Sequence, residues 1–295
     1  MEDNMTLGQI EQIFLDYLKD NNINIEVGSK DYTDYIVKQM FEKADANLMN
    51  HPDYRLIHSY FAEYLYELEK YQLEPYCEKF TMAHVKDKTI KEIKEEIINQ
   101  DEKIKEKEDK TFELSGYNPY QARDYAYSWY NRRNPAYNTW PFDCTNFISQ
   151  CIYTGGVNEH LPSSGVYTGV KETTDYWYSE RVYVVDKGYR WAESTSWIRV
   201  VDFYAYWASR VPNVNYVNNT DVSVYGEIGD VVQLMDSSTL RRYHTTIITK
   251  KENGIVYLTY HTADTKDKRI DEFDDEFTNW TLFNFFWFNN RFCDR

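Results

Sequence analysis

The segment Trp140-Pro141-Phe142-Asp143-Cys144-Thr145-Asn146-Phe147-Ile148-Ser149-Gln150-Cys151 constrains this chain more than any other. It begins with turn chemistry and continues as a helix. Phe147, Ile148, Cys151 and Ile152 follow Cys144 at the i+3, i+4, i+7 and i+8 offsets, so one face is apolar and must be buried. Cys144 then sits in the first helical turn, where unpaired backbone N–H groups and the positive dipole end favour an anion. A thiol in such a place, especially beside a histidine, titrates at roughly 3.5–7.5 instead of about 8.5. The competing explanation is a buried core thiol, so the case for Cys144 as a nucleophile depends on its partners.

Around this segment the chain divides in two. Over residues 1–110, apolar side chains recur at helical spacing. Leu7, Ile10, Ile13, Phe14, Tyr17 and Leu18 form one stripe, and Tyr35, Ile36, Met40, Phe41 and Leu48 a second, with Asp31 as its expected cap. Ile57, Phe61, Tyr64, Leu65, Leu68 and Tyr71 form a third. From Lys86 to Lys110 a Lys/Glu-rich helix carries Ile90, Ile93, Ile97 and Ile104 near heptad spacing, a narrow seam suited to a coiled-coil contact. His51, His58 and His84 match no metal motif and are assigned to the surface or to caps. Residues 1–112 are therefore expected to be a helical domain that binds a protein partner, acts as a spacer or inhibits the rest.

Composition changes at Ser115-Gly116-Tyr117-Asn118-Pro119. Asn118 and Pro119 are expected to open a short helix, and Gly155-Gly156 to close the Cys144 helix. Loops and short strands follow over residues 157–190. Ser194-Thr195-Ser196-Trp197 can cap another helix, and strands are expected at 228–235, 244–250, 255–261 and 280–288. Helices first and an antiparallel sheet afterwards is an α+β order, with residues 113–295 as the second domain.

The formal charge of −15, with 15 Lys/Arg against 25 Asp/Glu over residues 1–110, excludes a nucleic-acid backbone or an anionic membrane as the main partner. Four cysteines with no CxxC pair form neither a zinc site nor a disulfide scaffold, and no cofactor or metal is expected. No signal peptide is visible in residues 1–30, and no apolar run is long enough to span a membrane. A cytoplasmic, non-classically exported or wall-associated location all remain open.

A nucleophilic thiol needs a base, and the base needs an orienting group. His244 and His261 lie on two strands joined by Lys251-Glu252-Asn253-Gly254, a strong hairpin signal. With a four-residue loop the two histidines face each other, and with an Asn253-Gly254 turn they lie diagonally, on one face in either case. A three-residue loop would put them on opposite faces. Asp264 is the other candidate for the orienting role. Asp143 reads as a cap or turn former, and Tyr137 as a candidate oxyanion donor. Trp191 and Trp197 are candidates for a cleft wall, and Cys151 for core packing.

Asn134-Pro135-x-Tyr137, Asp143-Cys144-Thr145-Asn146-Phe147-x-Ser149-Gln150, Gly155-Gly156, Ser196-Trp197, Gly229-Asp230-Val231-Val232-Gln233, His244 before an apolar strand, and Tyr260-His261-Thr262 together resemble the bacterial domains of the sixth amidase family. The resemblance covers about residues 116–293. It implies kinship with NlpC-like cell-wall cysteine peptidases and their papain-like fold, a central helix against an antiparallel sheet. It further implies Cys144 as nucleophile, His244 as base and His261 as third residue. The expected activity is hydrolysis of an amide or peptide bond in peptidoglycan through a thioester. The alternatives are a papain-like protease or acyltransferase acting on a protein, as a secreted effector, and a catalytically silent binding module.

Overall fold

Thr6 and Thr89 each accept a hydrogen bond from the third helical residue and receive its side chain in return, through Gln9 and Glu92. These reciprocal caps start two of the N-terminal helices. A computed structural model describes residues 2–73, 80–107, 116–273 and 280–289. The boundary expected at 112/113, Cys77 and Cys293 lie outside the described residues.

The first part comprises α1 (Leu7–Asp20), α2 (Lys30–Glu42), α3 (Ala46–Met49), α4 (Tyr54–Tyr71) and α5 (Ile90–Glu106). Ser29, not Asp31, caps α2, because its hydroxyl accepts from Tyr32 N while its own backbone is still extended. The apolar stripes converge as their spacing requires: Phe14, Ile36, Ile57 and Phe61 are fully buried in one cluster.

Most of α4 is buried, including polar residues, because it lies between the other helices and the sheet. Each of its buried polar groups meets a partner beyond the helix. Glu63 pairs with Arg241 at 2.7 Å, His58 Nδ1 with Asp236 at 2.9 Å, and Glu69 accepts from Val200 N at 3.1 Å. His58, expected at the surface, is therefore an interior residue. The seam of α5 is used within the chain as well. Ile90, Ile93 and Ile97 are buried, and one turn further Asp101 takes both guanidinium arms of Arg242 at 2.8 and 3.0 Å.

The second part comprises α6 (Pro119–Trp129), α7 (Cys144–Thr154), β1 (Gly169–Lys171), β2 (Ser179–Val184), β3 (Gly188–Ser194), α8 (Thr195–Ile198) and α9 (Val200–Trp207). It continues with β4 (Asn213–Val217), α10 (Asn219–Tyr225), β5 (Val231–Asp236), β6 (Arg242–Glu252), β7 (Ile255–Tyr260), β8 (Thr265–Arg269) and β9 (Thr281–Phe286). β1–β3 form a small sheet. The main sheet is antiparallel, in the order β4-β9-β5-β6-β7-β8, so the architecture is α+β as the element order predicts.

Alternation along the strands gives this sheet two apolar faces. Val231, Ile247 and Phe286 pack with Phe147 and Ile148 of α7, whereas Val232, Leu234, Ile248, Leu258 and Tyr260 pack with Phe41 and Leu65 of the N-terminal helices. Gly229 sits at the entry to β5 with φ +90°, and a Cβ there would lie 2.6 Å from Pro119 Cα. Only glycine lets the start of α6 approach this closely. Among the described residues, no helix is long and apolar enough to cross a membrane.

Breaking a buried ion pair from one side leaves an uncompensated charge. Asp101→Ala is expected to lower unfolding free energy by about 3–5 kcal/mol in urea denaturation. Removal of the exposed Lys91–Glu95 pair is expected to cost less than about 0.5 kcal/mol. Equal effects would contradict the role assigned to Asp101.

Candidate functional site

The start of α7 is fixed by Asp143. Its side chain does not cap the helix. Instead Oδ1 accepts from Trp140 N at 3.3 Å and Asn146 Nδ2 at 2.8 Å, so the preceding turn is closed onto the first helical turn. Oδ2 meets Arg133 Nε at 3.0 Å and His261 Nδ1 at 2.6 Å. The other nitrogen of His261 faces Trp129 O at 2.8 Å, and its ring stacks on Phe147 at 3.8 Å between centroids. Both oxygens are acceptors, so both bonds form only if each ring nitrogen carries a hydrogen. Arg133 also reaches Asp264 at 3.0 Å. Asp143, His261 and Asp264 are thus joined in one cluster through Arg133.

This differs from the arrangement expected on paper, and the cause is local. The hairpin does turn at Asn253-Gly254, both with positive φ, and Glu252 faces Ile255. However, the ladder shifts between Ile248 and Lys250, leaving Thr249 as a bulge, and then resumes with Ile248 opposite Leu258 and Ile247 opposite Thr259. Carried on, that register sets His261 across from Thr245. The two histidines therefore lie on opposite faces, as a three-residue loop would have placed them. The side chains agree. Thr245 bonds Thr145 of α7 at 3.0 Å, whereas His244 packs between Phe41 at 4.3 Å and Tyr260 at 4.7 Å. His261 does not orient His244. Among the described residues, neither ring nitrogen of His244 has a hydrogen-bond partner.

Cys144 and His244 nevertheless share one cavity. Both line a space of about 10 Å³ together with Phe41, Leu65, Tyr66, Glu69, Phe142 and Thr262, at the lower limit of what holds one water molecule. Burial, followed by the nearby Glu69 carboxylate, pushes the Cys144 thiol up to about 12, against the smaller lowering effect of N–H and hydroxyl donors on Thr245 and Thr145. Burial alone holds His244 down at about 3. In this conformation the two groups form no thiolate–imidazolium pair.

Tyr137 stacks beside Trp197 at 6.2 Å and does not line this cavity. Trp197 is wholly buried and donates to Asn146 Oδ1 at 3.0 Å, a core role, and Trp191 lies on β3 beside Arg181. Cys151 is buried in the α7 core and is a free thiol.

Two residues at the cavity escaped the sequence reading. Thr262 is β-branched yet has φ +82°, and its buried hydroxyl has no partner among the described residues. Strain and an unmet donor at one residue are costs that functional sites carry. No local pattern announces that backbone angle. Glu69 was legible in principle: it stands four residues after Leu65 and eight after Phe61, on the apolar stripe of its helix.

Comparison with known proteins gives three findings. A family model described as "Putative amidase domain" matches residues 116–284. YhbB, an uncharacterized protein of Bacillus subtilis strain 168, is 33% identical over 151 residues, which is 50% of this chain and 42% of that protein. The chain thus spans well under half of that relative's length. No solved structure matches.

Burial pushes Glu69 and Asp230 each up to about 8, from ordinary values near 4.5 and 3.8. Between those limits the folded state binds more protons than the unfolded one, so stability falls as pH rises. His244 acts oppositely, but only from about 3 to 6.5, where acidification costs stability. From pH 6.5 to 8.5 the carboxyls dominate. The thermal midpoint is expected to drop over that interval, and to drop less in Glu69→Gln. A midpoint that rises, or an unchanged slope in the variant, would contradict these assignments.

Proposed function

The chain belongs to the sixth amidase family, whose chemistry is hydrolysis of amide C–N bonds, and from that premise we propose that it is a cysteine hydrolase with Cys144 as nucleophile and His244 as base. The observation that carries this reading is the common cavity: the thiol at the first turn of α7 and the imidazole of β6 line the same buried space. Cysteine at the start of a helix packed on an antiparallel sheet, with the base on a neighbouring strand, supports a papain-like, NlpC-like fold. The substrate that fits the resemblance is a peptide or amide bond of peptidoglycan.

In the working state His244 takes the Cys144 proton, and the thiolate attacks the carbonyl carbon. The carbonyl oxygen gains the electron pair and is stabilised by donors at the helix start, with the unpartnered Thr262 hydroxyl as a further donor. Collapse of this adduct breaks the C–N bond, and the imidazolium gives its proton to the leaving amine. Water, deprotonated by His244, then opens the thioester, releasing the acid and restoring the thiol. His261 acts through Asp143: it fixes the turn that presents Cys144 and is a positioning residue.

Digestion of purified peptidoglycan followed by mass spectrometry of the released muropeptides tests the proposal. Wild type is expected to yield fragments with a new carboxyl and a new amine. Cys144→Ala and His244→Ala are each expected to lose at least about 10⁴-fold in rate. Full activity in Cys144→Ala would overturn the cysteine mechanism. No fragments from wild type, nor from a variant whose Cys144 is freely alkylated, would move the substrate from peptidoglycan to protein.

A further inference from the structure

The site just described has no room for an amide. Its cavity of about 10 Å³ is walled on one side by Phe41 from α2 and by Leu65, Tyr66 and Glu69 from α4. The Phe41 ring lies 4.3 Å from that of His244, at the position a substrate would need. The same helices set the electrostatics. Glu69 places a carboxyl beside Cys144, which disfavours the thiolate, and among the described residues no group hydrogen-bonds the His244 ring.

We propose that the N-terminal helices form an autoinhibitory cover over the Cys144–His244 site, and that hydrolysis requires α2 and α4 to move off the end of β6. This rests on the reading of Cys144 and His244 as the reacting pair.

The contacts that hold the cover are concentrated on the two segments that carry those residues. Three and two residues before His244, Arg241 is bound by Glu63 and lies 3.7 Å under the ring of Tyr66, and Arg242 is bound by Asp101. Immediately before Asp143-Cys144, Phe142 N donates to Gln72 Oε1 at 3.0 Å. Further along the sheet, Lys268 Nζ of β8 donates to Phe41 O at 2.6 Å, and β5 ends in the His58–Asp236 pair. Docking therefore acts directly on the backbone flanking both reacting groups.

The chemistry of these contacts suits an interface that opens. Buried ion pairs contribute little more than apolar packing of the same volume would, because each charge loses its hydration. When such an interface separates, the charges regain water. Where the helices part locally at the end of β6, the surfaces uncovered carry Glu63, Asp101, Arg241 and Arg242 and are soluble once hydrated. The rest of the joint is apolar, with Val232, Leu234, Ile248, Leu258 and Tyr260 packed on the helices, so the movement required is local to Phe41 and Leu65 at the end of β6 and leaves that face covered.

The chain contains its own control for a test. Cys151 lies in the core of α7 and is exposed only by unfolding, whereas Cys144 is exposed by undocking alone. Iodoacetamide labelling of the full chain at pH 7.5, read by peptide mass, reports both. In Glu63→Arg, which sets two arginines against each other, Cys144 is expected to label at least about a hundredfold faster than in wild type, with Cys151 unchanged. A thiol moving from about 12 towards the free value near 8.5 accounts for a gain of that size. The charge swap Glu63→Arg with Arg241→Glu is expected to restore slow labelling, and this second variant keeps the test decisive if the first is poorly folded. Cys144 and Cys151 labelling in step, or Cys144 staying slow in Glu63→Arg, would overturn the cover. Fast, selective labelling of Cys144 in a variant that cleaves no amide would leave the cover standing and overturn the hydrolase reading instead.

Discussion

Arg241 and Arg242 are consecutive residues, so along a strand they would ordinarily point to opposite faces. Each is nonetheless buried and paired with an acid from a different N-terminal helix, Glu63 of α4 and Asp101 of α5. The ladder with β5 makes this possible: it shifts between Leu234 and Met235, so that Arg242 rather than Tyr243 pairs with Met235. Two guanidinium groups taken out of water cannot be left alone, since removing either partner costs several kcal/mol. Those two pairings hold α4 and α5 to the start of β6, beside His244 and the cavity it shares with Cys144, while apolar packing holds the rest of the helical face to the sheet.

The start of α7 is governed by a second, separate cluster on the other side of the sheet. Asp143 gathers Arg133, His261, Asn146 and the Trp140 backbone around one carboxylate. That fixes where Cys144 emerges without touching His244. The proposed nucleophile is thus positioned from one face of the sheet and its proposed base from the other. The two meet only at the sheet's end, where the cover lies.

Much of this was legible in the residues. The helical stripes, the Asn118-Pro119 helix start, the Asn253-Gly254 turn and the strands near 231–236, 242–252, 255–260 and 281–286 follow from periodicity and turn chemistry. Cys144 and His244, named from the helix start and the hairpin, line one cavity, although the hairpin register behind that reading is not the observed one. The same-face pairing of His244 with His261 does not hold, because a single bulged residue, Thr249, reverses the side of every residue beyond it. A bulge inside Thr-Thr-Ile-Ile-Thr-Lys-Lys leaves no compositional mark, unlike one made by glycine. Nor does a local pattern disclose what would let His58, Glu63, Glu69 and Asp101 be interior residues. Each lies on or beside an apolar stripe, but the partners that make burial tolerable stand more than 100 positions away.

The central claim is that Cys144 forms a thioester with the acyl half of an amide substrate. Its most direct measurement is acid-quenched peptide mass spectrometry after incubation with peptidoglycan fragments. The account predicts an acyl adduct on the peptide carrying Cys144, absent from the peptide carrying Cys151 and lost on treatment with hydroxylamine. Amide cleavage that proceeds with no adduct at Cys144, or an adduct on a different residue, would contradict it.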